Sequence, residues 1–166
     1  MAAMYSTDSQ FLFAYGTLRS AHPEHVQCFS EVRSIRSARI PGELWTLAEG
    51  YPLLVIQREQ CLAEARGNSR GEWIDASHAF APPSQGLPTG PLIGGELIEL
   101  EPGDASLEGA DRWEGFQPNR ATIYRRFISW LWLDDGLPVL GWIYGAFEPP
   151  PGAIRFPKNR WPAPSA

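Results

Sequence analysis

Cysteine, histidine and long apolar runs are all scarce in this chain of 166 residues. Cys28 and Cys61 are the only cysteines. Two thiols do not make the disulfide framework that staples small secreted domains, so free thiols in a cytosolic protein are the expectation. His22, His25 and His78 are too few and too scattered for a metal site, even counting the cysteines, and no metal is expected. No run of about 20 apolar residues occurs, so no helix is expected to span a membrane. The first residues lack a basic region followed by an apolar core, so no signal peptide is expected and the localisation is read as cytoplasmic. The net charge of −5 leaves no basic field of the kind that holds nucleic acid. Arg33, Arg36 and Arg39 cluster loosely, but acidic residues flank them and the cluster reads as a solvated face. Phosphate loops, dinucleotide fingerprints and nucleophile elbows are also missing, so no cofactor is expected.

What the chain does have is an ordinary globular balance, 43% apolar and 20% charged, with seven tryptophans. That length and balance suit one domain spanning 1–166 with a real core, a monomer by default. The most organised stretch is Phe11-Leu12-Phe13-Ala14-Tyr15-Gly16-Thr17-Leu18-Arg19. Its first half alternates aromatic Phe11, Phe13 and Tyr15 with Leu12 and Ala14, so both faces of a strand are apolar and the strand is central. It stops at Gly16-Thr17. Glycine reaches backbone angles closed to other residues and lets a ligand come close to the main chain, and a turn past a strand end leaves N–H groups that can cradle an anion. Arg19 adds positive charge nearby. An ordinary strand and glycine turn explains the same residues as simply.

Along the rest of the chain, His22-Pro23-Glu24 opens a helix expected to run to about Ile35, with Val26, Phe29, Val32 and Ile35 three residues apart. Residues 36–47 read as a strand kinked at Pro41-Gly42, and Tyr51–Gln57 as another. Residues 57–92 form an irregular insertion; its Gly/Pro-rich part continues to 95 and reads either as a loop that folds over the site as a lid or as a partly mobile excursion. Gly95–Leu100 is a strand. A helix follows over 104–114, with Asp104 as N-cap and Gly115 as the C′ residue. Thr122–Leu133 and Leu137–Phe147 pair through the turn Asp134-Asp135-Gly136. Gly141 and Gly145 share one face of the second strand and allow close packing. Residues 148–166 are a Pro-rich tail on which Phe156 and Trp161 are the docking points. About six strands against two short helices give an α+β domain, a small, mainly antiparallel sheet closed on itself.

Glu114 stands out chemically. It ends a helix, where the backbone dipole disfavours negative charge, and it lies between Trp113 and Phe116, which remove water from it. Both effects raise its pKa, and a carboxyl titrating near neutrality can take and return a proton. Taken alone, an exposed glutamate before a helix-ending glycine is the commoner situation. Asp111, three residues earlier on the same helical face, either raises the Glu114 pKa further by repulsion or is simply solvated.

The string Phe-Ala-Tyr-Gly-Thr-Leu-Arg resembles the signature of the gamma-glutamylcyclotransferase-like family, which carries a Tyr-Gly-Thr-Leu loop after its first strand. Gly42-Glu43-Leu44-Trp45 with Gly50-Tyr51-Pro52-Leu53-Leu54-Val55, Gly95-Glu96-Leu97-Ile98-Glu99-Leu100 with Ala110-Asp111-Arg112-Trp113-Glu114-Gly115, and Tyr124-Arg125-Arg126 resemble further family segments in order and spacing. The resemblance covers about residues 11–147. It departs at Ala110, where the family usually has Leu, and in the length of 57–92.

The resemblance implies a β-barrel with flanking helices and makes Glu114 the general acid/base. It assigns Tyr15, Gly16, Thr17 and Leu18 to holding a glutamyl group, with Arg19 and Tyr124 as further substrate contacts. Tyr144 is expected in the core rather than in contact. The implied reaction is attack of a substrate α-amine on its own γ-carbonyl, closing 5-oxoproline and releasing an amine. The partner is then a small gamma-glutamyl amine, amino acid or peptide. A non-catalytic metabolite-binding module of the same fold, or an amide hydrolase in the same pocket, fits the same residues.

Overall fold

The computed structural model describes residues 8–164. The first strand, β1 (Gln10–Ala14), is central as expected, between β6 (Leu92–Leu100) and β8 (Pro138–Gly145). It runs antiparallel to β6 and parallel to β8, pairing Leu12 with Trp142. Outside them lie β2 (Ser34–Pro41), which pairs with β6, and β7 (Arg125–Leu133), which pairs with β8. β2 and β7 then join through Ala38↔Leu133 and Arg39↔Trp132, closing a five-stranded mixed barrel. A two-residue strand, β5 (Ala63–Glu64), adds to the free side of β7.

Alternation along β1 divides its side chains between two cores. Phe13 and Tyr15 pack with Ile40, Leu97, Phe127, Leu131 and Ile143. Leu12 and Ala14 pack on the opposite face with Trp142, Leu107, Ala110 and Trp73. That second core is capped by the helices α2 (Ser69–Ala79) and α3 (Asp104–Glu114). A strand with apolar residues at every position needs partners on both sides, which is why helices cover the barrel here. Gly141 permits Leu131 to cross β8, since a Cβ there would stand 2.4 Å from Leu131 Cδ1. Gly145 does the same for the Leu54 carbonyl.

Several expectations are corrected. Helix α1 covers only Pro23–Cys28, and the chain is already a strand again at Ser34. The apolar spacing misleads because Val26 faces solvent, 77% exposed, while His25 takes the buried position. The kinked strand 36–47 is two strands in different sheets. After Gly42 the chain leaves the barrel as β3 (Glu43–Thr46), which pairs with β4 (Pro52–Val55) and with the short β9 (Ile154–Arg155) of the tail. Gly42 is required at that exit, because a Cβ would meet the Val55 carbonyl at 2.9 Å. The excursion over 57–92 is partly regular and contains α2, whose N-cap Asn68 accepts from Gly71 N–H. The N-cap of α3 is Gly103, not Asp104, whose Oδ1 instead accepts from Ser69 N–H. Gly115 does end α3 in the left-handed region, at φ 67°. In the tail, Phe156 and Trp161 dock as expected, stacking with centroids 4.9 Å apart against the barrel core.

Candidate active site

Because β1 and β8 are parallel neighbours and β7 is antiparallel to β8, the end of β1, the end of β8 and the start of β7 meet at one mouth of the barrel. The pocket is there. It is lined by Phe13, Ala14, Tyr15, Gly16, Thr17, Leu18, Tyr51, Pro52, Glu114, Tyr124 and Tyr144. Five separate segments therefore contribute. Its volume is about 20 Å³, room for about one water molecule.

Helix α3 delivers Glu114. Leu107, Ala110, Asp111 and Glu114 follow one another at helical spacing on a single face. Leu107 and Ala110 are fully buried, so the stripe drives the helix onto the barrel and its last member arrives at the pocket. Gly109 lets α1 approach from the side, since a Cβ there would stand 2.5 Å from the Cys28 carbonyl. Glu114 is half-buried and lines the pocket. Loss of water pushes its pKa up to about 8, with no other cause contributing. Asp111 does not act on it by repulsion. Asp111 is drawn away into contact with Arg126, at 2.9 Å from Nε in a bent approach, and it accepts a hydrogen bond of 2.5 Å from Tyr144.

The loop opposite Glu114 is shaped by its carbonyls. Gly16 O accepts from Arg19 N at 3.2 Å and from Arg19 Nε at 3.1 Å. Leu18 O is 2.7 Å from His25 Nδ1, which must carry the proton because a carbonyl only accepts. Ser20 N–H and Oγ both donate to the Glu96 carboxylate. The N–H groups of Gly16, Thr17 and Leu18 find no acceptor among the described residues. Backbone donors left open beside a carboxyl suit an oxygen that gains negative charge. Gly16 is needed for close approach rather than for unusual backbone angles, since a Cβ would meet Pro52 Cγ at 2.6 Å.

Hydrogen bonds tie the walls together. Trp113 Nε1 donates to Thr17 Oγ1 at 3.1 Å, joining the end of α3 to the loop. Tyr15 donates to the Tyr144 carbonyl at 2.6 Å, and Tyr124 to the Pro52 carbonyl at 2.5 Å. Burial raises the pKa of Tyr15, Tyr124 and Tyr144. They stay as neutral donors.

Of the residues singled out in the sequence, Tyr15, Gly16, Thr17, Leu18, Glu114 and Tyr124 come together in this pocket, and Arg19 does not. Arg19 is buried, and its guanidinium is taken up by backbone carbonyls and His22. No residue of 57–92 is among those that line the pocket. Tyr144 is both core and wall. Tyr51 and Pro52 were legible only as part of the Gly-Tyr-Pro segment, with no chemical signal of their own.

No curated protein matches the chain significantly. Among solved structures, YkqA from Bacillus subtilis aligns over 92% of this chain with a TM-score of 0.54 at 19% identity, which shows a shared fold. This chain spans 39% of that one. The uncharacterized protein PH0828 from Pyrococcus horikoshii aligns over 89% of this chain and 85% of its own, at 16% identity and a TM-score of 0.44, too loosely to argue from. A family model matches residues 12–81, a stretch that holds the pocket loop and the Gly-Tyr-Pro turn and ends before α3. The family that the Tyr-Gly-Thr-Leu string resembles is the one matched: gamma-glutamyl cyclotransferase, AIG2-like.

Proposed function

We propose that the protein is a gamma-glutamylcyclotransferase-type enzyme that converts a gamma-glutamyl amine, amino acid or peptide to 5-oxoproline and a free amine. The observation that carries this reading is a desolvated carboxyl, Glu114, lining one small pocket together with the Gly16–Leu18 loop, whose N–H groups have no acceptor among the described residues. In its ionised form Glu114 takes a proton from the substrate's α-ammonium. The freed nitrogen forms a bond to the γ-carbonyl carbon, and the carbonyl electrons move onto oxygen, where the Gly16–Leu18 N–H groups stabilise them. The C–N bond to the leaving amine then breaks as Glu114 returns the proton to that nitrogen, and the ring nitrogen, cationic after the attack, releases its second proton to solvent to leave the neutral lactam. One carboxyl serves both transfers, and no covalent enzyme intermediate forms. Holding the substrate folded for ring closure supplies several kcal/mol more.

A panel of gamma-glutamyl amines, dipeptides and glutathione, assayed for 5-oxoproline and glutamate together, tests the proposal. The expected product is 5-oxoproline, and the substrate that gives it names the leaving group. Glutamate alone would replace the cyclase reading with a hydrolase. Tight ligand binding with neither product would replace it with a binding module.

A further inference from the structure

Arg19 makes an unusual set of contacts for an arginine beside a substrate loop. Its Nε donates to Gly16 O at 3.1 Å, within the loop. Its Nη2 donates to the carbonyls of Trp161 at 2.6 Å and Pro162 at 3.1 Å, some 140 residues away in the tail. The same Nη2 lies 3.2 Å from His22 Nε2, which accepts because a guanidinium only donates. The side chain is 6% exposed. This buried cation faces backbone oxygens, not the pocket.

The tail is itself seated. Trp161 stacks on Phe156, Phe156 N–H donates to Leu44 O, and Asn159 O accepts from Gly94 N–H on β6. Gly94 makes room for Arg160, whose Nη2 would stand 3.1 Å from a Cβ there. The carbonyls that Arg19 grips are therefore fixed points on the barrel. The planar fork of arginine reaches the loop with one nitrogen and the tail with another, a geometry that a lysine cannot copy.

We infer that Arg19 is a positioning residue that straps the Tyr15–Leu18 loop to the tail at Trp161-Pro162, rather than a substrate contact. The inference rests on the proposed function for its kinetic consequence but not for its structural one. The strap holds the Gly16 carbonyl, and with it the backbone of the loop that lines the pocket with Glu114. The tail thus shapes the pocket from behind, without lining it.

The test uses the full chain with Arg19→Met, Arg19→Lys, Trp161→Ala and the Arg19→Met/Trp161→Ala double variant. For a strap, kcat falls about tenfold in each single variant while KM changes little, because the loop acts on the transition state. Arg19→Lys does not restore activity, and the double variant is no worse than Arg19→Met, since both break one linkage. If Arg19 instead met a substrate carboxylate, KM would rise, Arg19→Lys would recover much of the loss and Trp161→Ala would be neutral. That pattern overturns the inference. Amide exchange gives a readout independent of activity. The Arg19 amide, bonded to Gly16 O, is expected to exchange about tenfold faster in Arg19→Met and Trp161→Ala than in the parent. Unchanged exchange overturns the strap even if the protein proves inactive on every gamma-glutamyl compound. Faster exchange in an inactive protein upholds the strap while the cyclotransferase reading fails.

Discussion

Glu114 is kept near neutrality by loss of water alone, without a cation or hydrogen bond to oppose it. Two consequences follow for this residue. As a base it must be ionised, so kcat/KM is expected to rise with pH up to about 8 and then level. A profile already flat between pH 5 and 7 would contradict that. The second consequence concerns stability. The folded-state pKa lies above the unfolded value of 4.5, so the folded protein holds a proton that the unfolded chain releases. Stability contributed by the protonated form is present below the unfolded pKa and is lost as pH rises through the folded one. Glu114→Gln removes this loss. Its melting temperature is expected to match the parent near pH 4.5 and to exceed it progressively towards pH 8. A constant difference across that range would show that the carboxyl is not desolvated.

At the scale of elements, the helix and loop that build the site differ in how far the sequence discloses them. Helix α3 is readable because Leu107, Ala110, Asp111 and Glu114 repeat at helical spacing and Gly115 supplies the left-handed stop. The role of Asp111 is not, since its partners Arg126 and Tyr144 arrive from β7 and β8. Helix α2 escapes notice because its buried face is Ser69, Trp73 and Ala76, of which only Trp73 signals a core. Arg19 reads from sequence as a charge beside a glycine turn, and only the returning tail reveals its acceptors. Gly16 is legible as a close-approach position, though the group that approaches it is a side chain of this chain rather than a ligand. Its neighbour is Pro52, and Pro52 O in turn holds Tyr124. Gly16→Ala must therefore displace the β4 end of the pocket. It is expected to cost about 1–3 kcal/mol of stability, as overpacked sites do, and to reduce activity well beyond that. A thermal melt and a turnover assay on the same preparation check it. Parental activity would show that the Gly16–Pro52 contact does not shape the site.

For the whole molecule, closure matters more than any one sheet. The β2–β7 seam holds through Ala38↔Leu133 and Arg39↔Trp132 alone, with Arg39 and Asp134 paired at 3.6 Å beside it. The β7–β8 ladder, by contrast, is continuous from Arg125↔Gly145 to Trp132↔Pro138. Amides at the seam are expected to exchange faster than those in the middle of β7–β8, as the short pairing opens first. Equal protection would mean that the barrel opens only as a unit. The barrel also sets the size of the pocket. Tyr51 is the wall residue with most freedom, 48% exposed at the end of the turn Leu47–Tyr51.

The central claim is that a barrel mouth with one desolvated carboxyl and a backbone N–H loop performs ring closure. The most direct measurement is 5-oxoproline release from gamma-glutamyl amides by the parent protein and by Glu114→Gln at equal folded concentration, verified by melting. The account predicts release by the parent and a loss of at least about a hundredfold in the variant, the scale of general acid/base catalysis. Release of 5-oxoproline at the parental rate by a folded Glu114→Gln protein would contradict it.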